Sequence, residues 1–379
     1  MDETTRQWLW LNYATNHHPR MFYELLFRFD DISEAFEAAL HGEADAFSDV
    51  KGLDVKRLLD AAQPSFLDRY VGWIERNNVQ VCTAESPEYP TLLLELEPAP
   101  SLLFYRGTLQ ADSRLPIAVV GSRVCSEYGK SAARRLGQGF SEQGATVVTG
   151  LAAGVDSFAA WGALAAKDNA FPVVGVIGCG IDQVYPSGNG KLYDAVAERG
   201  AVVSEFLPKT PPMKQNFPMR NRIISGMSRG VVVVEAMEHS GTAITVDCAQ
   251  RQGREVYAVP GRITDPLSVG TNRLILERMA KPITCANDVI NDLTGSALAS
   301  TLNPNAKTVA FATLDERTRN VYMALLRGER NADELIELVQ CSASELNATL
   351  TSMQFAELIT QSPGRIYTLD TEHTTVTFD

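Results

Sequence analysis

Between Pro116 and Ala286 the chain repeats one pattern, and that pattern restricts its fold more than any other feature. Short valine-rich runs ("IAVV", "TVVTG", "VVGVIG", "AVVSEF", "VVVVEA", "VYAVPG", "PITCA") alternate with helical patterns at 127–143, 156–167, 190–199, 217–228, 242–252 and 270–280. A strand with one wet face alternates polar and apolar residues. These runs are continuously apolar, as strands covered on both faces are. Strand and helix in strict turn predict a doubly wound α/β sheet of parallel strands. Ligands of such sheets bind beyond the carboxyl ends of the strands, so the loops following each run are where function is sought.

The flanks differ. Residues 1–78 show apolar positions at three-to-four spacing in "TTRQWLWLNYA", "PRMFYELLFRF", "ISEAFEAAL" and "SFLDRYVGWIERN", which predicts a small helical domain. The short strand-like, proline-bearing stretch that follows, up to Gly107, is expected to cover the next domain, and the α/β region is bounded at 79–290. Residues 291–312 lack periodicity and are expected to be a linker. Over 313–371, three helical patterns precede a glycine-turned hairpin, "TQSPGRIYTL", which is a winged-helix order. Its third helix, from Ser342, carries Glu345 and no Lys or Arg before the wing. A role in protein contact or packing therefore fits this domain better than duplex binding.

Net charge is −12, distributed as −6 over residues 1–80, −4 over 81–100, +4 over 101–290, zero over 291–313 and −6 over 314–379. From Phe206 to Val234 the chain has Lys209, Lys214, Arg220, Arg222 and Arg229 and no carboxylate. That imbalance fits either an anionic partner or a solvated face. The six cysteines are scattered, with no CxxC pair and no histidine at metal-ligand spacing, as for buried reduced thiols. No metal and no cofactor is expected. The N-terminus has no basic segment before an apolar run, and no apolar stretch is long enough to span a membrane, so neither a signal peptide nor a membrane span is expected.

The strand ends carry the candidate chemistry. "GSR" follows the first run: Gly121 permits a tight turn, Ser122 can cap it, outward-facing amides suit an anion, and Arg123 offers a planar fork matched to phosphate. "GLAAGVD" follows the second, with Gly150 and Gly154 allowing close backbone approach and Asp156 suited to a helix cap or a ligand contact. Ser240, Gly241 and Thr242 open a helix after "VVVVEA", and Gly270, Thr271 and Asn272 open one after "VYAVPG". In "QNFPMRNRIISG", Phe217 offers a ring and Arg220 and Arg222 offer cations, with Lys214 just before. Phe217 is either a stacking surface or a core ring under the following helix. Arg220 and Arg222 do not share a helical face, so they serve different ends. Together the loops describe a phosphate-rich pocket with the cations and ring that single-stranded nucleic acid requires.

Catalytic signatures are missing. There is no GxxxxGK[ST], "GCGIDQ" is not GxGxxG, and "GMSRG" precedes a strand rather than following one, so it is no nucleophile elbow. His239, the one histidine of the α/β region, fits a polar loop position.

In their order, "GSR", "GLAAGVD", "FPMRNRIISG", "EAMEHSGTAITVDCAQRQGREVYAVPG" and "GTNRLI" resemble the DNA-processing protein A (Smf) family over roughly residues 80–290. The resemblance implies an extended Rossmann-like domain between an N-terminal SAM-like domain and a C-terminal DML1-like winged helix. It implies a cytoplasmic, non-enzymatic protein that binds and protects incoming single-stranded DNA in natural transformation, loads the recombinase RecA, and forms a homodimer through the Rossmann-like domain. It places DNA contacts on Arg123, Phe217, Arg220, Asn221 and Arg222. More loosely, it places Ser122, Gly154, Ser240, Gly241, Thr242 and Asn272 as pocket lining, with Lys214 in a similar position. The rival is a nucleotide phosphoribohydrolase of the lysine decarboxylase-like Rossmann group, which carries PGGxGTxxE. Here "EHSGTAIT" keeps Gly241 and Thr242 but lacks the paired glycines, and Thr245 stands where the glutamate belongs.

Overall fold

A computed structural model describes residues 1–29, 31–110, 115–238, 240–294, 307–326, 328–362, 364–370 and 374–377. It contains two units, Met1–Ala297 and Leu298–Asp379.

Five helices open the first unit: α1 (Glu3–Ala14), α2 (Pro19–Leu26), α3 (Ile32–Leu40), α4 (Val55–Ala62) and α5 (Pro64–Arg76). Side chains of Asp2, Asp31 and Asp54 cap α1, α3 and α4 by accepting backbone N–H bonds. Trp8, Trp10, Phe22 and Leu58 are fully buried, and the Trp10 indole donates to Leu58 O at 2.9 Å, so the large ring's polar atom is satisfied.

The sheet then begins with β1 (Gln80–Thr83) and β2 (Leu102–Gly107). There follow β3 (Pro116–Val120), α6 (Glu127–Glu142), β4 (Thr146–Thr149), α7 (Val155–Ala165), β5 (Val173–Val176), α8 (Gly190–Arg199), β6 (Ala201–Ser204) and α9 (Asn216–Gly226). The second half holds β7 (Gly230–Val233), α10 (Thr242–Arg251), β8 (Glu255–Ala258), α11 (Val269–Leu276), β9 (Lys281–Pro282) and α12 (Ala286–Thr294). Strand order is β1-β2-β6-β5-β4-β3-β7-β8-β9. The strands from β3 to β9 are all parallel, as the continuous valine runs predict, and most of their residues are buried. Order reverses between β3 and β7, which makes that gap the topological switch point.

Two expectations are revised. The proline-bearing stretch is more than a cover: its "LLFYRG" becomes β2, antiparallel to β6 with Phe104 opposite Ser204, and β1 adds to β2. The start of the expected 291–312 linker is helical, because α12 continues to Thr294; residues 295–306 lie outside the described residues.

Helices α6 and α7 pack very closely across one face. A Cβ on Gly137 would lie 2.1 Å from Ala159 O, and one on Gly162 would lie 2.1 Å from Arg134 O, so only glycine permits this approach.

The second unit contains β10 (Lys307–Ala310), α13 (Glu316–Leu326), β11 (Arg330–Asn331), α14 (Ala332–Val339), α15 (Ala343–Phe355), β12 (Ile359–Ser362), β13 (Ile366–Leu369) and β14 (Thr374–Thr377). Helices α13 to α15 are followed by an antiparallel hairpin, β12–β13. Both α14 and α15 begin with full capping boxes, Asn331 with Glu334 and Ser342 with Glu345. Glu345 is therefore engaged in starting its helix.

Candidate nucleic-acid interface

The loops at the carboxyl ends of the strands bind one another before they can bind anything else. Ser122 is buried. Its N–H donates to Glu235 O at 2.8 Å, its hydroxyl to Val124 O at 2.6 Å, and its carbonyl accepts Val155 N–H at 3.1 Å. The hydroxyl that begins α6 belongs instead to Ser126, which accepts from Gly129 N at 3.0 Å. Glu235, just past β7 and fully buried, accepts from Ser126 N at 3.0 Å and from the Ser126 hydroxyl with its other oxygen. Of the amides expected to greet an external anion after "GSR", that of Ser126 donates instead to a carboxylate of the chain itself, which complements the positive end of α6.

Gly154 is the N-cap of α7, at φ 79° and ψ −135°. A Cβ there would sit 2.3 Å from Ser122 O, so the loops after β3 and β4 meet only because residue 154 has no side chain. Asp156 is not the cap. It lies inside the first turn, fully buried, and reaches back to accept Gly150 N–H at 3.0 Å. Burial pushes its carboxyl upward, opposed by the Arg220 guanidinium and by backbone N–H groups.

Helix α9 settles the two arginines in different places. Two helical positions are about 200° apart around the axis, so Arg220 and Arg222 project to opposite sides. Arg220 is only 4% exposed. It donates to Val176 O at the end of β5 and lies beside Gly150, where a Cβ would stand 2.1 Å from its guanidinium. Arg222 pairs with Glu205, the buried carboxylate following β6, and donates to Pro98 O at 3.3 Å. Burial pushes the Glu205 carboxyl upward and Arg222 pulls it back. The carboxylate-free stretch from Phe206 thus begins one residue after its own counter-ion. The cation surplus there is smaller than the sequence count implies, and neither arginine of α9 is a freely solvated phosphate hook.

The exposed groups are others. Arg123 is exposed, with its guanidinium carbon 4.8 Å from the centroid of the half-buried Phe217 ring. Lys214 is exposed just before α9, and Asn221 is half-buried within it. Phe217 packs over the backbone after β5: a Cβ on Gly178 would lie 3.1 Å from its ring. Tyr185, which the motifs do not point to, lies with its ring centroid 5.3 Å from that of Phe217. It belongs to "DQVYPSGN", a loop whose signals are a Ser187-Gly188 pair and an aromatic beside a proline at a strand's carboxyl side.

Of the helix N-termini at this edge, that of α7 gives Val155 N–H to Ser122 O, and α11 gives Gly270 N–H to Ala236 O at 2.8 Å. Asn272 clamps Gly261, donating to its carbonyl at 3.0 Å and accepting from its N–H at 3.1 Å. Helix α10 likewise has no described side-chain cap: Gly241 is its N-cap, Ser240 is half-exposed, Thr242 is buried, and the first-turn amides of Ala243 and Ile244 donate to Ser240 O at 3.1 Å and Gly241 O at 3.3 Å. His239 lies outside the described residues. Among the described residues no three His, Cys, Asp or Glu side chains group as metal ligands, and no helix is long and apolar enough to cross a membrane.

Fold and edge together define a doubly wound α/β protein whose strand-end loops are bound into one another, leaving a cation and aromatic rings at the surface. A model of the family "DNA recombination-mediator protein A" matches residues 80–294. The DNA processing protein DprA of Streptococcus pneumoniae is 44% identical over 202 residues, covering 53% of this chain and 70% of that protein. The crystal structure of the Streptococcus pneumoniae protein superposes with a TM-score of 0.63 at 33% identity, over 77% of this chain and 99% of that one. The structure of DNA processing protein A from Helicobacter pylori, solved for its single-stranded DNA binding mode, matches with a TM-score of 0.51 at 28% identity, over 57% of this chain and 96% of that one. This chain belongs to the DNA recombination-mediator protein A family.

Proposed function

We propose that this protein binds single-stranded DNA along the carboxyl edge of its sheet, protects it without turnover, and passes it to RecA as a homodimer in the cytoplasm of a transforming cell. The observation that carries the reading is the Arg123–Phe217 pair, an exposed guanidinium against an aromatic ring. Phosphate takes the first and a base takes aromatic surface. Single-stranded DNA binding by the Helicobacter pylori protein supports it. Transfer to RecA and dimerisation rest on the family resemblance.

The twelve residues divide by task. Arg123, Lys214, Phe217, Asn221, Ser240 and Gly241 form the contact surface, with Thr242 buried behind Gly241. Ser122, Gly154, Arg220, Arg222 and Asn272 hold the loops that present it. The hydrolytic alternative gains nothing here, because Glu235, the acidic residue nearest that role, spends both oxygens on Ser126.

The test is fluorescence anisotropy of labelled oligo-dT across a salt series. Arg123→Ala is expected to weaken binding and to lower the slope of log K against log salt by about 0.7, the value for one phosphate contact on a single strand. Unchanged affinity in a folded Arg123→Ala protein overturns the assignment.

A further inference from the structure

The accessible aromatic surface at this edge lies on Tyr185 more than on Phe217. Phe217 has the Arg123 guanidinium 4.8 Å from its centroid, the Tyr185 ring 5.3 Å away, and the Gly178 backbone behind it. Its remaining exposure is partial. Tyr185 is 37% exposed, and its neighbour Val184 is 42% exposed.

Exposure alone would describe a floppy surface residue, but the backbone here is held. The hydroxyl of the buried Tyr193, on α8, donates to Tyr185 O at 2.9 Å and accepts Tyr185 N–H at 3.4 Å. Four residues on, the Asn189 side chain donates to Leu151 O at 2.9 Å and to Ser157 Oγ at 3.0 Å, tethering the loop to the segment that opens α7. A ring presented on a fixed backbone loses little entropy on binding, as a stacking platform requires. The planes of Tyr185 and Phe217 are inclined by 38° with centroids 5.3 Å apart, so Phe217 buttresses Tyr185 while more than a third of Tyr185 stays exposed.

We propose that Tyr185 is the outermost base-stacking residue of the site: a nucleobase lies on its exposed side, Phe217 supports it from within, and Arg123 takes the adjoining phosphate. This deepens the single-stranded DNA reading and rests on it.

The experiment compares wild type, Tyr185→Ala, Tyr185→Leu and Tyr185→Trp on labelled oligo-dT and on a sugar–phosphate oligomer of equal length without bases. Tyr185→Ala and Tyr185→Leu are expected to weaken oligo-dT binding about 5- to 100-fold, the effect of losing one stacked base, with the salt slope unchanged. On the abasic oligomer neither variant changes affinity. Tyr185→Trp keeps oligo-dT affinity, and its emission in excess of wild type is quenched on binding. If wild type binds oligo-dT and the Ala and Leu variants, folded by thermal melting, bind equally well, Tyr185 is no platform while the DNA reading survives. Equal losses on both oligomers also overturn the proposal, since they mark a structural or phosphate role. Failure of wild type to bind oligo-dT sinks the DNA reading and this proposal with it.

Discussion

Removing Arg222 tests the division between residues that touch DNA and residues that hold the loops. The Glu205 side chain is 2% exposed and that of Arg222 is 22% exposed, and the two form a direct ion pair. Oε2 of Glu205 has no hydrogen-bond partner among the described residues, so Arg222 supplies the direct compensation for that carboxylate. Breaking a buried pair from one side costs about 3–5 kcal/mol, because the remaining charge stays in a poor solvent. Arg222→Ala is therefore expected to lower the melting temperature by on the order of 5–10 °C. Glu205→Gln combined with Arg222→Met should recover most of that loss, since no charge is then stranded. The deficit also carries a pH signature. Without Arg222 the folded-state pKa of Glu205, already raised by burial, rises further. Above the ordinary carboxylate range the unfolded chain releases this proton and the folded chain retains it. The deficit is thus largest near neutral pH and shrinks as pH falls towards 5. Differential scanning fluorimetry from pH 5 to 8, with oligo-dT anisotropy on the same samples below the melting range, reads both effects. An Arg222→Ala protein that melts within 1 °C of wild type yet loses salt-dependent DNA binding as Arg123→Ala does would refute the reasoning.

Two further perturbations follow from the fold. Gly154→Ala places a Cβ 2.3 Å from Ser122 O at a φ of 79°, so the loops after β3 and β4 must separate. It should cost at least about 2 kcal/mol in urea unfolding, and stability equal to wild type would contradict this packing. His17 is half-buried, and its pKa is lowered from 6.5 to about 4, by loss of solvent first and then by His18, Arg57 and Arg222. Below pH 6.5 the unfolded chain takes up a proton that the folded chain refuses, so stability falls by up to about 3 kcal/mol as pH approaches 4. His17→Asn, which suits the left-handed backbone at φ 54°, should flatten that part of the stability–pH profile; an unaltered profile would show that His17 is not its source.

The parallel strands were legible in the sequence because each is a local signal, a continuous apolar run between helical patterns. β2 was not recognised as a strand of the sheet, because its partner lies about a hundred residues away, Phe104 facing Ser204. The same divide runs through the site. Arg123 and Phe217 were readable from residue type and from their place in strand-end motifs. That Asp156 reaches back to Gly150 rather than capping α7 depends on the loop's shape, which composition does not encode. That Glu235 closes the α6 terminus depends on a contact across 109 residues. The separate fates of Arg220 and Arg222 were foreseeable from helical spacing, but which partner each would meet was not, because Val176 and Glu205 come from different strands.

The outer strand beyond β8 has a consequence for how copies of this chain can meet. β9 has two residues, Lys281 and Pro282. Proline has no N–H to donate, and Lys281 sits between the carboxylates of Glu255 and Asp292 at 3.0 and 2.6 Å. A visiting strand would find almost no ladder to extend and would have to disturb that charge cluster to reach it. The sheet thus ends in a border that refuses growth. Two copies joining through this domain on that side must meet by their helices or loops, and runaway strand-to-strand polymerisation has no foothold there.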